Sequence, residues 1–220
     1  DVKAILCLNG GYGSARILDK LDYEYIASHP KLVVGFSDVT ALQIALWEKC
    51  RLVTANGPLM VTLGGSDAYT AGQFFQGLTT DAWRGPLALP AGRKLTTNLT
   101  VLTSLVGTPY ALDGTGCILV LEDTGEDAYR IDRMLNQLWQ SGLLSRVAAI
   151  AYGDFTDCPN DPGDFTTDQV LDYYAHLAGK PAIKGLPVGH TRDKAFVPYG
   201  VKVRLDADRE GASLTFIDVC

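Results

Sequence analysis

The chain is predicted to fold as an α/β protein, with a parallel-sheet first lobe of flavodoxin or Rossmann type joined to a second lobe of α+β, β-rich character. Three observations predict it. Two short apolar runs, Ala4–Leu8 and Leu32–Val34, are each followed by a tight glycine-containing turn and then by apolar residues at helical spacing, the grammar of a parallel sheet. A third run, Arg51–Ala55, closes on Asn56-Gly57-Pro58. Beyond a stretch rich in Gly, Thr, Asp and Pro, strand and helix patterns resume, and the tail alternates apolar and polar residues as a hairpin does. The expected division is residues 1–62 for the first lobe, 63–96 for a connection holding one helix around Ala71–Leu78, and 97–220 for the second lobe.

The first run leads into Asn9-Gly10-Gly11-Tyr12-Gly13-Ser14 and a helix carrying Ile17, Leu18 and Leu21. Glycines at such a turn let backbone N–H groups approach a ligand, and a helix N-terminus behind them favours negative charge. The sequence meets neither the dinucleotide fingerprint nor the P-loop pattern, and a plain tight turn explains it equally well. The second run leads into Gly35-Phe36-Ser37-Asp38, with Ala41, Leu42, Ala45 and Leu46 at helical spacing behind it. A serine on a strand-to-helix turn of this kind projects its hydroxyl clear of the sheet, beside the unpaired amides of the helix's first turn. The match to G-x-S-x-G is partial, since Val39 stands at the last position. Ser37 or Asp38 would serve equally as a helix cap.

In the second lobe, Cys117–Leu121 runs into Glu122-Asp123-Thr124-Gly125-Glu126. A carboxylate where a buried strand ends is held by the sheet, as the orienting partner of a histidine needs to be. Pattern leaves Glu122, Asp123 and Glu126 equal, and a solvated acidic turn is the alternative. Ile131, Met134, Leu135 and Leu138 mark an amphipathic helix, Val147–Tyr152 a buried strand, and Thr166 the start of a helix along Val170, Tyr174 and Leu177. Of the three histidines, His29 precedes a proline in a loop and His176 falls on that last helix as a surface or packing residue. His190 lies on a glycine-flanked loop, Leu186-Pro187-Val188-Gly189-His190-Thr191, from which a ring can swing into a cleft between lobes.

Composition narrows the partners. A formal net charge of −6, with nineteen scattered basic residues, offers no footprint for a phosphate backbone, and no apolar run approaches membrane-spanning length. Neither a nucleic acid nor a membrane is expected as partner. Five cysteines without a C-x-x-C pair argue against a disulfide framework and fit a reducing, cytoplasmic compartment. Histidines this sparse, with no H-E-x-x-H, predict neither a zinc site nor any other metal, and no cofactor is expected.

The segments GGYGSARILDKLD, PKLVVGFSDVTAL, NGP, LEDTGEDAYRIDRML and GLPVGH, in this order, resemble the LD-carboxypeptidase family of serine peptidases, which includes muropeptide-recycling enzymes and microcin C self-immunity proteins. The resemblance spans nearly the whole chain. It implies Ser37 as nucleophile, His190 as general base and acid, Glu122 as the group orienting the histidine, and an oxyanion hole of backbone amides from Asp38 and the Gly10-Gly11 turn. It further implies a small peptide substrate ending in a D-amino acid, such as the D-alanine of a murein tetrapeptide, and a homodimer. Hydrolysis of a peptide-nucleotide antibiotic is the alternative within the family; a non-catalytic small-molecule binder is the alternative outside it. Tyr129, Arg130 and Arg192 are pocket candidates by proximity to motifs. Against the family pattern, the first sheet is expected to be incomplete at its start, and the glycine-rich stretch before Asn98-Leu99 is missing, which predicts an interruption at Thr97-Asn98.

Overall fold

The computed structural model describes residues 2–79, 89–160, 163–207 and 212–218. Strands β1 (Ala4–Leu6), β2 (Leu32–Gly35) and β3 (Thr54–Asn56) pair in parallel as one sheet. A long 3-10 helix, Ser14–Lys20, and α1 (Tyr23–Ser28) make the first crossover, and α2 (Thr40–Cys50) the second. A returning strand near the C-terminus, β8 (Val197–Tyr199), adds antiparallel to β3, giving the order β1-β2-β3-β8.

The second sheet has the order β10-β9-β4-β5-β6-β7. Its strands β4 (Leu89–Asn98), β5 (Cys117–Thr124), β6 (Ala149–Thr156) and β7 (Ala182–Ile183) run parallel, while β9 (Lys202–Ala207) and β10 (Ala212–Asp218) form the antiparallel hairpin at its edge. The hairpin's turn, 208–211, and residue 219 lie outside the described residues. This is a mixed α/β fold of two sheets, as the sequence predicts, and the hairpin read in the tail forms the antiparallel edge of the second sheet. Its inner strand β5 is buried along all but its last residue, as a strand covered by helices must be.

Much of the stretch read as a connection is structured. It holds α3 (Met60–Leu63) and α4 (Ala68–Thr79), and β4, most of which falls within it, is an inner strand of the second sheet; 80–88 are outside the described residues. The expected interruption at Thr97-Asn98 is not found. The β4–β5 ladder runs through this bond, with Thr97 opposite Leu121 and Asn98 opposite Glu122. Asn98 then caps α5 (Leu99–Ser104), its side-chain oxygen accepting from Val101 N–H at 3.0 Å.

One apolar core joins the two halves. Ala41, Ile44, Ala45 and Trp47 of α2 pack in the same cluster as Leu99 and Leu102 of α5, Leu119 and Leu121 of β5, Ile131, Leu135 and Leu138 of α6 (Ala128–Gln140), and Val170, Leu171 and Tyr174 of α8 (Thr167–Ala178). A short helix, α7 (Leu143–Arg146), contributes Leu143 and Leu144. Helix α2 therefore rests on the second sheet as well as its own, and the turn at its head is fixed relative to β5 by apolar burial. Helix α8 starts where the sequence reading puts it, with Thr166 and Gln169 forming a capping box.

Candidate active site

Ser37 ends the turn after β2 in the left-handed region, φ 62°, and opens a 3-10 turn, Ser37–Val39, that runs into α2. A non-glycine residue is strained there, and such strain persists only where surrounding structure over-determines it. Two contacts supply that determination. Gly10 lies directly against the serine: a Cβ built on it would stand 3.3 Å from Ser37 Cβ and 3.4 Å from Ser37 Oγ. Asp38 accepts two hydrogen bonds from Ser14, from its N–H at 3.0 Å and from its hydroxyl at 2.7 Å, tying the glycine turn to the elbow. The N–H groups of Gly10 and Gly11 donate to no protein group among the described residues. The sequence marks Asp38 only as a cap or an amide donor; nothing local signals its side chain's bond to Ser14, beyond the place of Ser14 at the close of the glycine motif.

His190 reaches this serine from the loop between β7 and β8. Its Nε2 is 3.1 Å from Ser37 Oγ and its Nδ1 is 2.9 Å from Glu122 Oε2. Glu122 is 1 % exposed, near the end of β5. Burial pushes its carboxyl above the usual range, against the downward pull of the hydrogen bond and charge of His190. Its second oxygen, Oε1, has no hydrogen-bond partner among the described residues. The other two acids face elsewhere. Asp123 accepts from Asn98 Nδ2 at 3.0 Å, Thr100 N–H at 2.9 Å and the Thr100 hydroxyl at 2.7 Å, while Glu126 pairs with Arg130 at 3.6 Å. Of the remaining histidines, His29 stacks on Tyr25 at 4.2 Å and His176 is exposed on α8.

The ring of Phe36, 4 % exposed, stands 5.0 Å from the His190 ring and carries the Lys194 ammonium 5.3 Å from its centre. That ammonium donates to the Thr191 carbonyl and has no carboxylate within ion-pair distance among the described residues. Burial holds its pKa below the ordinary lysine range, although Glu122, Asp67 and Asp154 pull it upward. Nothing in the sequence singles Lys194 out. Arg192, a pocket candidate, is 85 % exposed and 3.8 Å from Asp67; Tyr129 lies under Arg130 and Arg133 at 5.7 and 5.4 Å.

A serine hydroxyl, an imidazole and a buried carboxylate in one hydrogen-bonded line, on a two-sheet α/β scaffold, define a protein of the hydrolase class. The chain belongs to the LD-carboxypeptidase family: the family's N-terminal domain matches residues 1–57 and its C-terminal domain residues 91–205. It is 37 % identical over 227 residues to the "Probable murein peptide carboxypeptidase" of Bacillus subtilis, covering 96 % of this chain and 71 % of that protein. With the murein tetrapeptide carboxypeptidase of Pseudomonas aeruginosa it shares 32 % over 228 residues, 95 % of this chain and 74 % of the relative. Among solved structures, the muramoyltetrapeptide carboxypeptidase of Oxalobacter formigenes superposes with a TM-score of 0.91 at 32 % identity, over 100 % of this chain and 80 % of the other. The microcin C7 self-immunity protein MccF shares the fold, TM-score 0.86 at 23 % identity over 99 % of this chain and 77 % of its own.

Proposed function

We propose that this carboxypeptidase is a serine enzyme that releases a terminal D-amino acid, the D-alanine of a murein tetrapeptide, by cutting the amide bond that joins it to an L-centre. The observation that carries this reading is the unbroken line from Ser37 through His190 to Glu122. With Glu122 ionised, its carboxylate accepts from His190 Nδ1–H, which leaves Nε2 free to accept the Ser37 proton. Ser37 Oγ then attacks the carbonyl carbon, and the amides of Asp38 and the Gly10-Gly11 turn hold the oxyanion. His190 returns the proton to the leaving amine, and water, activated by the same imidazole, releases the shortened peptide. The alternative of a non-catalytic binder makes no demand that these three side chains converge.

A carboxypeptidase must also recognise a carboxylate. Lys194 supplies a half-buried ammonium on the loop that carries His190, with no carboxylate partner within ion-pair distance among the described residues, and it is assigned here to the substrate's terminal carboxylate. Murein-derived peptides as substrate put the enzyme in peptidoglycan recycling, in the cytoplasm, and a homodimer is the expected assembly. The experiment is a comparison of tetrapeptides ending in D-Ala and L-Ala, with the parent and Ser37→Ala side by side. Release of D-Ala only, abolished in the variant, supports the reading; release of L-Ala at an equal rate, or a Ser37→Ala variant above a tenth of the parental rate, overturns it.

A further inference from the structure

The loop that delivers His190 is held from two sides. On the side of the second sheet, Asp154 N–H of β6 donates to the Val188 carbonyl at 2.9 Å, and within the loop Ala195 N–H donates to the Pro187 carbonyl at 2.8 Å. On the other side stands α4, a helix more than a hundred residues earlier in the chain. We propose that Thr70, in the first turn of α4, is a positioning residue for His190, acting by fixing the path of residues 190–196; this inference rests on the reading of His190 as the general base.

The Thr70 hydroxyl donates one hydrogen bond and accepts another at the same time. It donates to the Arg192 carbonyl at 3.1 Å and accepts from Lys194 N–H at 2.9 Å, so one oxygen pins two backbone groups of the loop. Thr70 is 1 % exposed, which keeps water from replacing it in either bond. Its own backbone is fixed in turn, since Thr70 N–H donates to Asp67 Oδ1 at 2.7 Å. The Asp67 carboxylate also meets Arg192 at 3.8 Å, a further tie between helix and loop.

The same face of the helix continues the grip. Phe74, four residues on and therefore beside Thr70 on the helix surface, packs edge-on against Phe196 at 6.4 Å. Both rings are buried, in a cluster with Val34 of β2 and Ala55 of β3. The loop is thereby seated on the helix and strands that frame the Ser37 elbow, and not only on the sheet that carries Glu122. Ser37 and His190 meet at 3.1 Å because a loop from the second half is clamped to elements of the first.

A merely structural Thr70 would show its loss in stability alone. A positioning Thr70 shows it in turnover, because a displaced base acts on bound substrate without having helped to bind it. The test is steady-state kinetics on a D-Ala tetrapeptide with Thr70→Val, close in shape but unable to make either bond, and Thr70→Ser, which keeps both. Expected is a fall of roughly 10–100-fold in kcat for Thr70→Val with KM little changed, and recovery to near the parental value in Thr70→Ser. Thr70→Ala, which removes the same bonds without a buried methyl to accommodate, is measured in parallel and replaces Thr70→Val if that variant does not fold. A parental kcat in the folded valine or alanine variant overturns the proposal, as does a serine variant no better than alanine. His190→Ala runs beside them: if it keeps full activity, the general-base reading fails; if it is inactive while Thr70→Val is unimpaired, only the role of Thr70 fails.

Discussion

Gly189 lies against Glu122: a Cβ built on the glycine would stand 3.0 Å from Glu122 Oε2 and 3.1 Å from its Cβ, at a φ of +122°. The carboxylate that holds the histidine is thus approached by the backbone of the residue before that histidine. Gly189→Ala should crowd the carboxylate and strain the backbone at once, costing about 1–3 kcal/mol of stability and shifting His190. A displacement near 1 Å is enough for a fall of ~10²-fold in kcat/KM. Kinetics and urea unfolding on the same preparation check both parts, and a variant with parental kcat/KM would show that the close approach is incidental.

Ser37 offers a separation of function from strain. Removing its hydroxyl should cost roughly four to six orders of magnitude in rate, whether by alanine or by glycine. Stability should not treat the two alike. The left-handed conformation costs an L-residue roughly 1–2 kcal/mol, of which the freer unfolded chain of glycine cancels about 0.5–1 kcal/mol. Ser37→Gly should therefore unfold at a higher denaturant concentration than Ser37→Ala, with both inactive. The reverse order in equilibrium unfolding would mean that the φ of 62° carries no strain.

Much of this site is legible in the chain because its parts sit at element ends. Ser37 follows a buried run and precedes a helical one, and Glu122 follows the apolar run of β5, so hydrophobic patterning and turn chemistry mark both positions. What pattern leaves equal is Glu122 against Asp123. The side chains of neighbouring strand residues point to opposite faces, and only the tertiary fold says which face meets the histidine: Glu122 turns to His190, Asp123 to Asn98 and Thr100. The three residues of β8 are too few to show a period, and their joining the first sheet depends on a crossing no local signal records. The hold of Thr70 on the His190 loop is of the same kind, with more than a hundred residues between partners and no short-range cost to reveal it.

Glu122 ties stability to pH. Burial raises its pKa in the folded protein above the unfolded value, so its favourable contribution is complete below the ordinary carboxylate range and is lost as pH rises through the raised folded value. Above that raised value the protein carries a buried charge at a cost that a neutral amide avoids. Relative to the parent, Glu122→Gln should gain stability as pH rises from below the ordinary carboxylate range through the raised folded value, while kcat falls by roughly 10²–10⁴-fold because the imidazole loses its charged partner. Urea midpoints across that pH range decide it; a stability difference that stays flat or moves the other way sinks the linkage.

Lys194 carries the last prediction, which concerns recognition and not chemistry. Its ammonium shares the Phe36 ring with His190 and meets no carboxylate among the described residues within ion-pair distance, so a carboxylate arriving with the substrate would be its first such partner. A charged hydrogen bond of this kind contributes about 1.5–3 kcal/mol, which corresponds to a rise of roughly 10–100-fold in KM when it is removed. Lys194→Met, which keeps the apolar stem over Phe36, should show that rise for a tetrapeptide with a free terminal carboxylate, with kcat little altered. The same peptide carrying a terminal carboxamide should be a poor substrate for the parent and no poorer for the variant. Because burial lowers the lysine's pKa, the parental KM for the free acid should begin to climb at a pH below the ordinary lysine range, and the variant's should not. If Lys194→Met retains the parental preference for acid over amide, the carboxylate is read by another group and the assignment of Lys194 is wrong, with the Ser37, His190 and Glu122 roles unaffected.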